Sequence, residues 1–271
     1  MFKKIIKILY FKYFNHGNQV PMICYNDFIG KHILFDNFYE KEDLILIQNS
    51  FSNEIKKSSF IDIGSNVGNH TIFFRNTFKN IYCFEPQKIT YKILTLNTEP
   101  FEHIKTFNYG IDIQKKEVTF YIPTNNNGMG RSSVIEGKNI RKESVLLKPI
   151  DDSLIKNVGF VKIDVEGNEY SVLQSLKKII NKDKPIIGIE LNYDNPNKNQ
   201  ILEFLFVNNY KTFMVNSKIF NNRFKSYLNI LGRKNKLVKV EIETLKKMKR
   251  HIPLVICINN NSKYNLKQGN E

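Results

Sequence analysis

Short apolar runs that end on a carboxylate recur along this 271-residue chain. Phe60-Ile61-Asp62-Ile63 opens into Gly64-Ser65-Asn66-Val67-Gly68-Asn69. Asn80-Ile81-Tyr82-Cys83-Phe84 ends at Glu85, and Val158-Gly159-Phe160-Val161-Lys162-Ile163 ends at Asp164. Each run has the length and composition of a buried strand. The spacing between the first two predicts a helix over Asn69–Phe78, and a second helix is expected over Gln87–Asn97. Strand and helix therefore alternate, which is the mark of an α/β domain with a mostly parallel sheet. The three acidic ends then share one edge of that sheet, where open α/β folds bind their ligands.

The same reading covers the rest of the chain. Met22–Phe35 reads as a short antiparallel pair turning at Gly30-Lys31, and Glu40–Ser52 as a helix with Leu44, Ile45, Ile47 and Phe51 apolar. His103–Tyr109 and Glu117–Ile122 read as strands. Thr124–Gly137, rich in Asn and Gly, reads as a loop long enough to cover a pocket. Gly167–Ile180 is expected to be one helix, Pro185–Leu191 a buried strand and Asn199–Val207 a helix. Tyr210–Val215 and Leu254–Asn259 are expected to pair as a terminal antiparallel hairpin. The basic stretch Asn221–Arg250 stands between those two strands as an insertion. These elements divide the chain into an N-terminal extension, residues 1–52, and a main domain, residues 53–271, with the basic insertion at about 217–250.

The turn after the first strand defines the chemistry. Its two glycines allow a left-handed backbone and close approach to a ligand, and the helix start beyond them offers free N–H groups. The dinucleotide pattern Gly-x-Gly-x-x-Gly lacks its middle glycine here, where Ser65 and Asn66 follow Gly64. Asp62, two residues before that glycine, suits an ammonium better than a phosphate. Glu85, at the end of the second strand, fits the vicinal hydroxyls of a ribose. Nicotinamide cofactors offer the same ribose, so Glu85 does not choose between them; the ammonium tips the reading to the methyl donor S-adenosylmethionine (SAM). Asp62, Gly64, Ser65, Asn66, Gly68, Glu85 and Asp112 are the candidate cofactor-binding residues.

Composition narrows the setting. One domain of this length buries a full core, and the hydrophobic content of 41% is that of a globular protein. The net charge of +15 suits attraction to an acidic partner such as an anionic glycan or membrane lipid, or a coding bias toward Lys, Asn and Ile; its dispersal along the chain favours the second. No nucleic-acid-binding module is recognisable, so a nucleic acid partner is not expected. Three unpaired cysteines suit a reducing, cytoplasmic setting. No Cys/His spacing suits zinc, and no metal is expected in the site. Met1–Phe14 is apolar but interrupted by Lys7 and Lys12, too short a run to span a bilayer. It is able to lie on the inner face of an anionic membrane as an amphipathic segment. Apolar side chains almost all the way round favour docking on the core or on a second subunit instead.

The matching segments Phe60–Gly68 with Thr71, Cys83-Phe84-Glu85-Pro86, Asn97 and Phe160–Glu169 give the chain a family likeness. It resembles the FkbM-type class I methyltransferases, whose Lys-x-Asp-x-Glu-Gly-x-Glu signature is similar to Lys162-Ile163-Asp164-Val165-Glu166-Gly167-Asn168-Glu169. The likeness runs from about Gly30 to Asn195, with a looser match over Pro253–Asn259. Departures are Asn69-His70 where an aromatic is usual, and Pro149-Ile150-Asp151 where Thr-Leu-Asp is usual. The resemblance implies a class I, Rossmann-like fold with helices on both faces of the sheet. It also implies SAM-dependent O-methylation of a sugar hydroxyl, in a cell-surface glycan or its precursor.

Such a reaction needs alignment of oxygen, methyl and sulfur, and a group to accept the hydroxyl proton. Asp164 is the first candidate base, Lys162 the residue that keeps it ionised, and Glu190 the second candidate base. His70 is a further option, more in keeping with polar surface. Glu166 and Glu169 read as carboxylates that stabilise a helix start. Two other readings remain: a metal-dependent O-methyltransferase of a small molecule, and a non-catalytic SAM-binding subunit of a glycan assembly complex.

Overall fold

The computed structural model describes residues 22–24, 28–123, 140–216 and 235–266. Met1–Phe14, the loop Thr124–Gly137 and the first part of the basic insertion lie outside the described residues.

In chain order the elements are α1 (Phe28–Asp36), α2 (Lys41–Ser50), β1 (Ser59–Ile63), α3 (Asn69–Phe74), β2 (Asn80–Phe84), α4 (Lys88–Thr98), β3 (Ile104–Phe107), β4 (Gly110–Ile111), β5 (Lys116–Pro123) and β6 (Ile140–Lys148). There follow β7 (Val158–Ile163), α5 (Glu169–Ser175), α6 (Lys177–Asp183), β8 (Ile186–Leu191), α7 (Lys198–Val207), β9 (Tyr210–Val215), β10 (Leu237–Lys239), α8 (Ile242–Lys247) and β11 (Ile252–Asn259). The main sheet has eight strands in the order β10-β9-β11-β8-β7-β1-β2-β3. The pairs β8–β7, β7–β1, β1–β2 and β2–β3 are parallel, while β11 is antiparallel to both β8 and β9. The expected α/β class I architecture is present.

Side chains alternate across each strand, so every strand feeds two cores. Ile61, Ile63, Val161, Ile163, Ile187 and Ile189 face one core with Val172, Leu173, Leu202 and Leu205 from α5 and α7. Phe60, Phe160, Ile81 and Cys83 face the other, with Leu44, Ile47, Phe74 and Leu94. Phe60 and Phe160 stack there at 5.1 Å between centroids. Asp62 and Lys162 have the parity of Phe60 and Phe160, and the β1–β7 register sets them side by side. That places a charged pair inside the second core.

Four expectations need correction. Met22–Phe35 is not a strand pair: Phe28–Asp36 is helical, and Ile33 with Met22, Val67 and Ile72 forms a small core of its own. The helix after β1 stops at Phe74. The helix after the signature is two short helices, because Leu176 takes ψ −3 between them. Finally, β9 and β11 do pair, but not as a simple hairpin. β10 and α8 intervene, and β11 inserts between β8 and β9. The strand Ile140–Lys148 was not anticipated. It joins β4 and β5 in a second, three-stranded sheet, and Val118, Phe120 and Leu147 of that sheet wall one side of the cavity. Among the described residues no helix is long and apolar enough to cross a membrane.

Candidate active site

The carboxyl ends of β1, β2, β7 and β8 open on a cavity of about 550 Å³, the size of a small-molecule site. The loop after β1 forms its floor. Gly64 (φ 75), Asn66 (φ 51) and Gly68 (φ 96) all take the left-handed conformation. Gly64 is required twice over, since a Cβ there would lie 1.8 Å from the backbone oxygen of Asp164. Gly64 and Ser65 N–H groups both donate to the Phe84 carbonyl, at 3.0 and 3.1 Å. The Ser65 hydroxyl donates to Asp62 O and accepts from Phe84 N–H. The loop is thus bolted to β2 before any ligand arrives.

Glu85 lines the cavity with both oxygens already oriented. Oε2 accepts the Asn66 N–H at 3.0 Å and Oε1 the Gln87 N–H at 2.9 Å. Each oxygen keeps a second lone pair for a ligand hydroxyl. Burial pushes the Glu85 carboxyl up to about 7. Asp112 also lines the cavity, with Lys116 at 2.9 Å and the Asn168 amide at 3.2 Å on Oδ2. Burial works against its charge, but Lys116, Asn168 and the Ile113 N–H together hold it below its ordinary value.

Asp62 differs from expectation in its place: it does not line the cavity. It is fully buried behind the wall, where Oδ2 accepts from Thr71 Oγ1 at 2.6 Å and Oδ1 lies 3.7 Å from Lys162 Nζ. Burial raises its carboxyl. Gly68 likewise does not line the cavity; it starts α3. Gly64, Ser65, Asn66, Glu85, Asp112, Lys162, Asp164 and Glu190 all line it.

At the β7–β8 end, Lys162 Nζ lies 3.1 Å from Asp164 Oδ2 and donates to Gly64 O at 3.2 Å. Burial alone would discharge this lysine, yet Asp164 and Asp62 keep it charged and raise its value. Burial also opposes ionisation of Asp164, but Lys162 and a hydrogen bond from Glu190 hold it well below the usual carboxylate range. Glu190 moves the other way. Burial, then the adjacent Asp164 charge, pushes it up to about 11, so the pair holds one proton and it sits on Glu190. His70 lines the cavity too, where burial drives its ring down to about 3 and keeps it neutral. Glu169 is a structural clamp, its Oε1 accepting the Gly167 N–H at 2.9 Å.

Sequence reasoning missed His251, Asn69 and Lys116. His251 enters because β11 pairs with β8, with Ile252 opposite Leu191. Its Nε2 lies 3.1 Å from Glu190 Oε1 and its Nδ1 2.5 Å from Asn192 Oδ1. Asn69, a departure from the family pattern, binds both backbone groups of Tyr39 and so holds Tyr39 and Glu40 against the cavity. Nothing in local spacing signals either contact.

The cavity fits SAM on its donor set. Glu40, Glu85, Asp112, Asp164, Glu166 and Glu190 face Lys116 and Lys162, both of which are already ion-paired. The surplus is acidic, as a cationic ligand needs, and Glu85 presents the bidentate acceptor that a ribose needs. Fold and site together define a SAM-dependent class I methyltransferase. The chain belongs to the Methyltransferase FkbM domain family, whose sequence profile matches residues 62–212. Among solved structures it is similar to the FkbM methyltransferase of Methylobacillus flagellatus, at 19% identity and TM-score 0.37 over 50% of this chain, spanning only 33% of that protein's length. It is also similar to an rRNA methylase of Streptococcus thermophilus (14% identity, TM-score 0.44, 80% and 93% of the two chains). A third is TrmK of M. capricolum bound to S-adenosyl-homocysteine (15%, TM-score 0.38, 81% and 68%). No curated protein sequence matches the chain. Among the described residues no group of three His, Cys, Asp or Glu side chains is arranged to hold a metal ion.

Proposed function

We propose that this protein is an O-methyltransferase acting on a hydroxyl of a sugar, in a cell-surface glycan or its precursor, in the cytoplasm. The observation that carries the reading is the carboxyl pair Asp164–Glu190 held by Lys162 at the ligand-facing ends of β7 and β8. A sugar hydroxyl is too weak an acid to ionise alone at neutral pH, so O-methylation needs a proton acceptor in place. Asp164 is that acceptor: Lys162 keeps it ionised and the β1–β7 register fixes its position. SAM, when bound, supplies the methyl group on a sulfonium. Glu85 and the Gly64–Asn66 loop hold the ribose end, and Asp112 stands beside them. Holding donor and acceptor together in one cavity makes positioning the main source of rate.

The test is transfer of labelled methyl from SAM to extracted glycans, nucleotide sugars, lipids and RNA in parallel. Base-stable label on a sugar oxygen, with loss of one methyl from the glycans of a deletion strain by mass spectrometry, supports the reading. Label on RNA, protein or a small phenol with unchanged glycans defeats it.

A further inference from the structure

Glu190, His251 and Asn192 form a chain of contacts at the cavity, where Glu190 and His251 both line it. Asn192 Oδ1 is an amide oxygen and only accepts, so the Nδ1 beside it at 2.5 Å carries the hydrogen. In the neutral ring the lone pair then sits on Nε2, 3.1 Å from Glu190 Oε1. Glu190 also faces Asp164, so its single proton bonds either Asp164 or Nε2 at any one time. His251 is about half exposed, with a side-chain accessibility of 48%, whereas Glu190 is largely buried. The order is therefore ionised Asp164, protonated Glu190, imidazole acceptor, Asn192.

We infer that Asp164, Glu190, His251 and Asn192 form a proton relay in which His251 takes the Glu190 proton when a cation occupies the cavity. The step is balanced. The O–H bond on Glu190 breaks and leaves its electron pair on the carboxylate, an N–H bond forms at Nε2, and the products are an adjacent carboxylate and imidazolium. Glu190 holds its proton in the empty protein because burial and Asp164 both disfavour a second negative charge there. A positive charge in the cavity removes that cost. The other charged or titratable groups facing the relay are Lys162 and Glu166 on the Glu190 side and the neutral His70 across from Asp164. Arg250 precedes His251 in the chain. The result is that Glu190 joins Asp164 as a carboxylate only when a cationic methyl donor is present, so the donor raises the negative charge around itself. His251 is a positioning residue in this scheme, since it acts through Glu190.

The inference rests on the reading of the cavity as a SAM site, and the test separates the two. The full chain is labelled with ¹⁵N-histidine, and His251→Gln assigns its signal among the five histidines. Spectra are recorded at about pH 8 with no ligand, with SAM and with S-adenosyl-homocysteine, which lacks the methyl and its charge. Binding is followed separately by calorimetry. SAM is expected to convert His251 from the neutral Nδ1–H form to imidazolium, and the neutral product is expected to leave it unchanged. Glu190→Gln and Asn192→Ala are each expected to bind SAM and lose the response. An equal response to both ligands, no response with SAM bound, or a response retained in Glu190→Gln would overturn the relay. No SAM heat in the wild type would overturn the cofactor reading and the relay with it.

Discussion

At the β1–β2 end of the cavity, Glu85 is held by two backbone N–H groups at 3.0 and 2.9 Å. At the β7–β8 end, Asp164 and Glu190 are held by side chains: a lysine, a histidine and each other. Backbone partners cannot titrate or move independently of the fold, so the first end is a fixed cradle. Side-chain partners exchange protons and respond to charge, so the second end is able to change state. The contrast assigns recognition to one half of the sheet edge and proton handling to the other.

The largest expected effect falls on the proton-handling half. Asp164→Asn keeps shape but removes the acceptor, and turnover is expected to fall by ~10²–10⁴-fold while SAM binding changes little. Radiolabel transfer and calorimetry on the same preparation check it. Near wild-type turnover would move the base to Glu190 or His70.

The second effect falls on the cradle, through the backbone. Gly64→Ala puts a Cβ against Asp164 O at 1.8 Å and a side chain at φ 75. The overlap costs roughly 1–3 kcal/mol and the left-handed conformation about 1–2 kcal/mol. Urea unfolding is expected to show a midpoint lowered accordingly, with β1 and β7 both disturbed. An unchanged midpoint would mean the loop moves freely, and the picture of a fixed cradle would fail.

The cradle was the more legible half. Glycines, a strand end and a carboxylate lie within 26 residues, from Phe60 to Glu85, and local chemistry announces them. Even there the place of Asp62 is not legible, because alternation along β1 turns it into the core toward Thr71, away from the cavity. The proton-handling half is built from register. Lys162 meets Asp62 only because β1 and β7 are neighbours, and His251 meets Glu190 only because β11 returns beside β8. Those adjacencies belong to the whole sheet, so sequence spacing carries no trace of them. The segment Phe28–Asp36 was misread for a related reason. Its β-branched and aromatic content suggests strand, but packing of Ile33 against Val67 and Ile72 decides for helix.

The third effect tests recognition alone. Glu85→Ala removes two acceptors to the ribose, each about 1.5–3 kcal/mol for a bond to a charged group before relaxation. SAM affinity is expected to drop at least ten-fold by calorimetry, with the His251 response to saturating SAM intact. Loss of that response at saturation would show the two ends to be one coupled unit.

The smallest effect is a pH dependence, and it separates the ends by where it falls. Glu85 sits at about 7 in the empty protein, raised by burial. A raised value means the folded protein holds this proton more tightly than the unfolded chain, so its contribution to stability is full at acid pH and is lost as pH rises through about 7. SAM affinity runs the opposite way, because the ionised form is the better acceptor for ribose hydroxyls. Affinity is expected to fall on acidification from about pH 8 to 6, approaching ten-fold per unit below about 7 for one coupled proton. Glu85→Gln should flatten that limb. Glu190 adds no slope, because in the relay its proton passes to His251 and stays on the protein. Glu190→Gln should therefore leave the limb as it is. Calorimetric titrations across this range, on wild type and both variants, read the limb. A limb abolished by Glu190→Gln would mean the carboxyls titrate as one group, and the division between a fixed and a responsive end would have to be abandoned.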